Sequence, residues 1–414
     1  MTIKSVLLVN SDRLNHSIDR LAEIGERPNG GVRRIAYSTE DLQARQLIKI
    51  WMTQAGMTVR IDTAGNMIAT YPGQIQKAAA LATGSHIDTV PLGGRYDGTL
   101  GVLAGIEVVR VLQENNIKLI HPLEVIVFTD EESSMIGSKA MSGNTIKDTE
   151  YYHRDDRTSI KTCLERIGGN WNQLSTARRS QSEIAAYIEL HVEQGGVLEN
   201  VDKQIGVVQG IVGQHRYAIS VTGSPNHAGT TPMHMRRDAL VAAAQVVLAV
   251  NNLGNKNSGS QVATVGSFNV WPNAANIVPG KVEMSLDIRD IYQSHIDELV
   301  GQLKQELSVI ADSSKTQIAI ERTLRVEPTL AKPQIKDAIA SACQQLQLSY
   351  YHLPSRAGHD AQEIGRFTDM GMIFVPSVAG ISHSELEYTS PEQCSQGANV
   401  LLQTLLQLDK MYPV

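Results

Sequence analysis

Short apolar runs that end close to a side chain able to bind a metal recur along this chain, and they constrain its fold more than any other feature. Residues 78–83 read as a short buried strand, after which the chain is expected to turn outward over Gly84, Ser85 and His86. Residues 123–128 form a second β-branched run, which is followed closely by Glu131 and Glu132. The pattern predicts strands with polar side chains at their ends.

Helical stretches lie between these strands. Behind Asp97 and Gly98, apolar residues recur at helical spacing from residue 100 to residue 112. A further strand over residues 186–192 contains His191. Strands that alternate with helices form mostly parallel sheets, and such sheets place functional side chains at the carboxyl ends of their strands. The sequence therefore predicts an α/β catalytic domain.

The pattern changes between residues 212 and 328. Strand-like and helical segments alternate there, at residues 216–221, 237–250, 262–270, 277–288, 296–310 and 317–325. This β-α-β-β-α-β order is typical of a ferredoxin-like α+β domain. From Pro333 the α/β rhythm resumes and reaches His383. We expect residues 1–211 and 329–414 to form one discontinuous catalytic domain, interrupted by an inserted domain.

Composition excludes several classes of function. The 414 residues exceed the size at which one core stops growing, so two domains are expected. A net charge of −6 without a basic patch argues against a nucleic-acid partner. Neither a membrane span nor a secretion signal is predicted. Cys163, Cys343 and Cys394 show no paired spacing, which favours a reducing, cytoplasmic location.

Five polar residues match the ligands of a pair of borderline divalent ions. His86, His191 and His383 offer imidazoles, and Asp97 and one of the adjacent Glu131 and Glu132 offer carboxylates. Taken alone, an Asp before a helix is more often a cap, and a His on an apolar strand is more often a hydrogen-bonded core residue. Their shared placement nevertheless predicts a two-metal hydrolase, with one more Glu left to move protons.

Neighbouring acidic residues have expected supporting roles. A metal-binding imidazole needs an acceptor for its other ring nitrogen, and Asp88 stands two residues after His86. Glu131 and Glu132 are expected to continue a strand, in which successive side chains point in opposite directions. One of them can then bind metal while the other faces substrate.

The order and spacing of seven motifs resemble those of the M20 metallopeptidase-type amidohydrolases over nearly the whole chain. The resemblance is narrower to the branch that contains allantoate amidohydrolase, N-carbamoyl-L-amino acid hydrolase and β-ureidopropionase. The motifs are ATGSHIDTV at 82–90, GRYDG at 94–98, EE at 131–132, ELHVEQG at 189–195, NHAGTTP at 226–232, GHDA at 358–361 and GISH at 380–383.

The resemblance implies a reaction and a metal centre. The reaction is hydrolysis of a non-peptide C–N bond in a ureido or carbamoyl compound, with release of ammonia and carbon dioxide. It implies two divalent ions per subunit, zinc or manganese, with cobalt and nickel as further candidates. One ion takes His86, Asp97 and His191, and the other takes Asp97, Glu132 and His383, so that Asp97 is the bridging ligand.

The resemblance also implies roles outside the ligand set. Glu131 becomes the general base. His227 resembles the residue that reaches across a homodimer to stabilise the oxyanion, so the inserted domain is expected to act as a lid and dimerisation domain. Asn276 and Arg289 match positions that hold the substrate carboxylate, a role that suits the planar fork of Arg. Gln194 matches a substrate-contacting Gln.

The substrate stays open at this point. The branch commonly has Gly-Ser-Arg-Phe after the two glutamates, whereas residues 133–136 here are Ser-Ser-Met-Ile, and Arg356 stands where a small residue is common. N-carbamoyl-L-amino acids and allantoate are both candidates. An M20 peptidase or aminoacylase acting on N-acyl amino acids or dipeptides is the alternative, although many such peptidases have Asp at the position of His191. A non-catalytic binding protein is disfavoured because the ligand set and Glu131 are intact.

Overall fold

The computed structural model describes residues 6–28, 30–154, 156–256 and 261–413. The strands are β1 (Thr58–Ile61), β2 (Met67–Tyr71), β3 (Ala80–His86), β4 (Leu123–Phe128), β5 (Ile184–Val192), β6 (Ile205–Ile211), β7 (Gly213–Thr222), β8 (Asn226–His227), β9 (Val262–Trp271), β10 (Ile277–Val278), β11 (Lys281–Asp290), β12 (Gln317–Val326), β13 (Thr329–Leu330), β14 (Tyr350–Ser355) and β15 (Asp369–Val375).

The α-helices are α1 (Ser11–Ala22), α2 (Thr39–Gln54), α3 (Thr99–Glu114), α4 (Ile136–Ser142), α5 (Ile160–Arg166), α6 (Val197–Asn200), α7 (Ala239–Lys256), α8 (Gln293–Ser314), α9 (Pro333–Gln345), α10 (Asp360–Ile364) and α11 (Pro391–Met411). Among the described residues, none of the helices combines the length and the apolar character needed to cross a membrane. The chain divides into two compact units, Met1–Gly210 with Leu330–Val414, and Ile211–Thr329.

The first unit is built on one sheet with the strand order β1-β2-β4-β3-β5-β15-β6-β13, and β14 pairs with β6. The central strands β4, β3, β5 and β15 run parallel to one another, while β2 and β6 add antiparallel margins. Every residue of β3, β4 and β5 is buried, as expected of strands in the middle of a covered parallel sheet. The predicted α/β fold with a mostly parallel central sheet is confirmed.

Strand β3 is longer than its sequence suggests. The expected outward turn before His86 is wrong, because β3 continues through Gly84 and ends at His86 itself. A Cβ at Gly84 would lie 1.9 Å from the carbonyl oxygen of Ile126 in the neighbouring β4. The glycine therefore serves a close backbone approach inside the sheet rather than a turn.

Helix α3 packs closely on the sheet, and this packing holds the loop before the helix near the ends of the strands. A Cβ at Gly101 would lie 2.4 Å from the carbonyl oxygen of Leu190 in β5. Since only glycine permits this approach, the first turn of α3 lies directly against the sheet. Asp97, two residues before the helix, is thereby held near the carboxyl ends of β3 and β5.

The second unit has a core of its own. Its four-stranded antiparallel sheet has the order β12-β7-β11-β9, and α7 and α8 pack on it. Strands and helices follow the β-α-β-β-α-β order of ferredoxin-like folds. Along β11 buried and more exposed residues alternate, so one face of the sheet packs under the helices. The short strands β8 and β10 form a separate pair beside this sheet.

Candidate active site

Asp97 lies at the centre of a cluster of imidazoles and carboxylates in the first unit. Its Oδ1 is 3.1 Å from His191 Nε2 and 3.6 Å from His86 Nε2. Its Oδ2 is 3.3 Å from His383 Nε2, which in turn is 3.3 Å from Glu132 Oε2. The structure therefore brings together all five residues that the sequence offered as ligands, and the two Asp97 oxygens face different neighbours.

Two groups of three potential ligand atoms share Asp97. Atoms of His86, Asp97 and His191 lie within 4.8 Å of one another, and so do atoms of Asp97, Glu132 and His383. The first group is buried, while the side chain of His383 in the second is half exposed. Imidazole and carboxylate donors in these numbers suit a borderline divalent ion such as Zn²⁺ or Mn²⁺. The residues present thus fit a pair of ions bridged by one carboxylate.

The two buried imidazoles are oriented by backbone groups. His86 Nδ1 is 3.0 Å from the carbonyl oxygen of Asp88, and His191 Nδ1 is 2.8 Å from that of Val192. Because a carbonyl only accepts, each Nδ1 carries the proton and each Nε2 presents a lone pair toward Asp97. The N–H of Gly98 also donates to His191 Nε2 at 3.2 Å, which agrees with this tautomer.

Position 98 requires glycine because it lies against the His86 ring. Its φ is +67°, and a Cβ there would lie 2.4 Å from the His86 ring. A side chain at this position would be strained in the left-handed region and would displace the imidazole. The Gly that follows Asp97 therefore lets the loop before α3 approach His86.

Asp88 supports the site in a way that the sequence did not indicate. Its carbonyl, not its carboxylate, meets His86 Nδ1, since the carboxylate Oδ1 is 3.8 Å from that nitrogen. The carboxylate instead accepts from the backbone N–H groups of Glu131 at 3.4 Å and Glu132 at 3.2 Å. Asp88 therefore holds both the His86 ring and the turn that carries the two glutamates.

Glu131 and Glu132 lie in a turn, so the expectation that they continue a strand is wrong. β4 ends at Phe128, and Asp130 has a φ of +58°. This left-handed residue turns the chain sharply, which no alternation of side chains would reveal. Glu132 meets His383, while Glu131 Oε2 lies 3.6 Å from His86 Nε2 and belongs to neither of the two three-atom groups around Asp97.

Burial and the neighbouring charges shift the pKa values of the carboxylates in the site. Burial, together with the charge of Asp97, raises the pKa of Glu132 to about 7. Burial also raises the pKa of Glu131 well above its ordinary value. For Asp97 burial acts in the same direction, but the adjacent His191 and His383 rings, which donate to its carboxylate once they are protonated, outweigh it and hold the pKa well below its usual range. Acidic groups crowded in this way favour a bound cation.

Gln194 lies against the same cluster. Its Nε2 is 2.8 Å from Asp97 Oδ2 and 3.3 Å from His383 Nε2. Its buried Oε1 has no hydrogen-bond partner among the described residues. The backbone there is left-handed, with φ +58°, so a strained residue places this amide beside the ligands.

Comparison with known proteins identifies the family. The model of "Peptidase family M20/M25/M40" matches residues 82–407. The chain belongs to this family. It is 36% identical over 406 residues to N-carbamoyl-L-amino acid amidohydrolase of Geobacillus stearothermophilus, an alignment that covers 97% of this chain and 99% of the relative. It is 34% identical to allantoate amidohydrolase of Bacillus subtilis, with 94% and 96% of the two chains covered.

A solved structure agrees with these relatives. An amidase of the hydantoinase/carbamoylase family from Burkholderia multivorans superposes with a TM-score of 0.90 at 37% identity, and the match covers 99% of this chain and 100% of that one. The resemblance to the M20 family that the motifs carried is therefore confirmed.

His227 of this M20 protein has a defined tautomer in the second unit. Its Nδ1 accepts from the backbone N–H groups of Gly229 at 3.1 Å and Thr230 at 3.2 Å. Since Nδ1 is an acceptor, Nε2 carries the proton in the neutral ring. The side chain is exposed, so the ring presents this N–H donor at the protein surface. Asn276 lies beside it, because its carbonyl accepts from Ala228 N at 2.9 Å.

Arg289 lies at the other end of the second unit of the M20 protein. Its Nε donates to Asp287 Oδ1 at 2.8 Å, near the end of β11. Asn276 precedes the opposite end of β11, which begins at Lys281. Arg289 lies eight residue steps beyond Lys281 along the strand, about 26 Å at ~3.3 Å per step. One copy of this unit therefore cannot bring Asn276 and Arg289 to the same carboxylate.

The sequence does not predict a role for two buried glutamates that lie at the site of this M20 protein. Glu189 accepts from Ser85 Oγ at 2.7 Å and from Ala361 N at 2.9 Å, behind the ligands. Glu387, four residues after His383, has a pKa raised to about 7 by burial and by the charge of Asp97. Glu189 stands within a recognised motif and was available as a signal. Glu387 stands outside all seven motifs.

Proposed function

We propose that this protein hydrolyses a non-peptide C–N bond in ureido or carbamoyl compounds, as an N-carbamoyl-L-amino acid hydrolase or allantoate amidohydrolase. The observation that best supports this proposal is the position of Asp97. Its two oxygens face two separate His-containing ligand groups, and Glu131 lies beside them. The names of the relatives support this substrate class. Two divalent ions per subunit are part of the proposal, zinc or manganese first, with cobalt and nickel also suited to these ligands.

The chemistry follows from the electrophile. A ureido carbonyl reacts poorly because nitrogen lone pairs feed into it. The ions, when bound, supply a water of lowered pKa and polarise the carbonyl oxygen. Glu131 accepts the proton of the attacking water at its carboxylate and returns it to the departing nitrogen. The products are ammonia, carbon dioxide from an unstable carbamate, and the remaining amino acid.

His227 and Arg289 are proposed to act from two copies of the chain. His227 offers an N–H donor for the oxyanion, worth about 3–4 kcal/mol for one well-placed donor. Arg289 holds the substrate carboxylate, and Asn276 accompanies His227 at the far end of the same unit. A site that uses both ends of this unit must draw them from different copies, which supports a homodimer.

The second unit is proposed to be the dimerisation and lid domain. β9 is an edge strand of ten residues in which Phe268 and Trp271 are exposed. The adjacent α7 exposes Val241 and Leu248, seven residues apart on one face of the helix. A long edge strand beside an apolar stripe is a template for pairing with a second copy.

The proposed cellular location of the protein rests on the state of its three cysteines. Cys163, Cys343 and Cys394 are free and buried. Three thiols without a bridge suit a reducing compartment, so we propose the cytoplasm.

A substrate panel tests the proposed function. Protein reconstituted separately with Zn²⁺, Mn²⁺, Co²⁺ or Ni²⁺ is assayed for ammonia release from N-carbamoyl-L-amino acids and allantoate. The same preparations are assayed for free amino acid release from N-acetyl amino acids and dipeptides. We expect ammonia release with one of the ureido substrates. Release of amino acid from the acyl substrates alone would establish the peptidase or aminoacylase alternative instead.

Shared active sites predict complementation between two inactive variants. Glu131→Gln lacks the proton acceptor of its own site, and His227→Ala lacks the donor that it lends to its partner. After the two variants are mixed under conditions that exchange subunits, one site in each mixed dimer has both groups. We expect recovery of about one quarter of wild-type ammonia release, because half of the randomly paired dimers are mixed. Activity no higher than that of the separate variants would place His227 and Glu131 in the same chain or remove His227 from the mechanism.

Arg289→Ala is expected to raise KM for a carboxylate substrate. The loss of a charge-assisted hydrogen bond of ~1.5–3 kcal/mol corresponds to a rise of about 10–150-fold, with a smaller change in kcat. Arg216→Ala is the matched control, because Arg216 Nε donates to the same Asp287 carboxylate at 2.9 Å. Steady-state kinetics of both variants decides the matter: equal KM values would show that Arg289 does not bind substrate.

A further inference from the structure

We propose that Glu387 is a positioning residue of the metal centre, which holds Asp97 and the loop of His383 in the arrangement that binds the ions. The inference rests on the proposed function, since it concerns the same two ligand groups. Glu387 belongs to neither group. It therefore acts through Asp97 and His383 rather than on the substrate.

The carboxylate of Glu387 binds the backbone of the bridging residue. Its Oε1 accepts from Tyr96 N at 2.9 Å and from Asp97 N at 3.0 Å. Two consecutive N–H groups converge on one buried oxygen, and Glu387 is only 6% exposed. Because these bonds are screened from water, they fix the peptide planes from which the Asp97 side chain projects.

The same residue ties in the loop of His383. Glu387 N donates to Ser384 O at 3.1 Å, which closes a turn just after His383. Ser382 Oγ lies 3.2 Å from Asp97 Oδ2 and 3.4 Å from Glu387 Oε2. Ser384 is thus linked to Asp97 through Glu387, and Ser382 contacts both Asp97 and Glu387. The half-exposed imidazole is otherwise carried by a loop and needs such an anchor.

Gly94 provides independent support. A Cβ at Gly94 would lie 2.4 Å from both Cβ and Oε1 of Glu387. The φ of Gly94 lies outside the left-handed region, so space rather than backbone conformation excludes a side chain there. The glycine makes room for the Glu387 carboxylate beneath the Asp97 loop. The two residues therefore form one device although they lie almost 300 positions apart in the sequence.

Zinc affinity, measured by competition with a chromogenic chelator, tests the proposal without an activity assay. Glu387→Ala is expected to bind Zn²⁺ ~10–100-fold more weakly than wild type, the usual cost of losing a residue that orients ligands. Glu387→Gln should stay within a few-fold of wild type, because its amide oxygen still accepts from both N–H groups. Full chains are used, and ions per chain are counted by elemental analysis.

Asp409→Ala is the matched control. Asp409 is buried and also accepts from two consecutive N–H groups, those of Ile120 and His121, each at 2.9 Å, and it contacts none of the ligands. The Asp409→Ala variant leaves two consecutive backbone N–H groups without their acceptor, as Glu387→Ala does, but at a place away from the metal site. Its zinc affinity should equal that of wild type, even if its thermal stability falls as much as that of Glu387→Ala.

Gly94→Ala tests the same device with Glu387 intact. The new methyl group should push the carboxylate from the Asp97 amides and weaken Zn²⁺ binding as Glu387→Ala does, which also covers the case in which Glu387→Ala fails to fold. Wild-type affinity in Gly94→Ala and Glu387→Ala, or equal weakening in Glu387→Gln and Glu387→Ala, would overturn the inference alone. A wild-type chain that binds no divalent ion would instead overturn the proposed function.

Discussion

Glu131→Gln is expected to lower kcat for ammonia release by ~10²–10⁴-fold, the range contributed by a positioned acid–base group. The amide cannot accept a proton, yet it has nearly the same volume as the carboxylate. Glu131 belongs to neither ligand group around Asp97, so the content of divalent ions should not change. Turnover at saturating substrate and metal content by elemental analysis are measured on the same preparation.

The adjacent Glu132 supplies the contrast for this experiment. Glu132→Gln changes a residue that meets His383 within one of the ligand groups, so it should lose bound metal as well as turnover. Both residues lie in the same turn, and Asp88 holds both backbone N–H groups. A disturbance of the turn would affect the two variants alike. Normal kcat in Glu131→Gln would remove Glu131 from the mechanism, and loss of metal would make it a ligand.

Asp97→Asn is expected to have the second large effect, the loss of at least one of the two bound ions. A carboxylate can offer one oxygen to each ion, whereas the amide nitrogen of Asn offers no ligand atom. Loss of an ion that stabilises the transition state by several kcal/mol should lower turnover by about 10³-fold or more. Elemental analysis and ammonia release are the measurements.

Asp409→Asn serves as the control for Asp97→Asn. It makes the same chemical change at another buried Asp of the first unit, outside the ligand cluster. Two ions per chain are expected to stay bound in this control. Two tightly bound ions in Asp97→Asn as well would contradict the bridging role of Asp97.

Much of the fold was predictable because its signals are local. The β-branched run that forms β4 is located with correct ends, because Pro122 before it and the polar residues from Thr129 after it interrupt the strand pattern. The sequence predicts too short a β3 because Gly84 resembles a turn residue, whereas position 84 must be glycine because the backbone of Ile126 lies against it. Residues close in sequence determine periodicity, but neighbours on another strand determine which glycines are needed.

The sequence predicts which residues form the site, but not the contacts and backbone conformations that hold them in place. Types and order of side chains indicate His86, Asp97, His191, His383 and the Glu131–Glu132 pair, and the family resemblance divides that pair into base and ligand. The carbonyl of Asp88, the left-handed Asp130 and the anchoring by Glu387 were not indicated. Each depends on contacts between segments that are tens to hundreds of residues apart, and no spacing rule in one sequence encodes such a contact.

The chain's sequence by itself determined the α/β class, the inserted β-α-β-β-α-β segment and the inventory of His and carboxylate side chains, because hydrophobic period and chemical type are properties of the chain alone. Only the tertiary structure decided which oxygen of Asp97 faces which imidazole, and that the β8–β10 pair with His227 lies beyond the end of β11 opposite to Arg289. These facts depend on strand register and loop closure, which are settled when distant segments pack together.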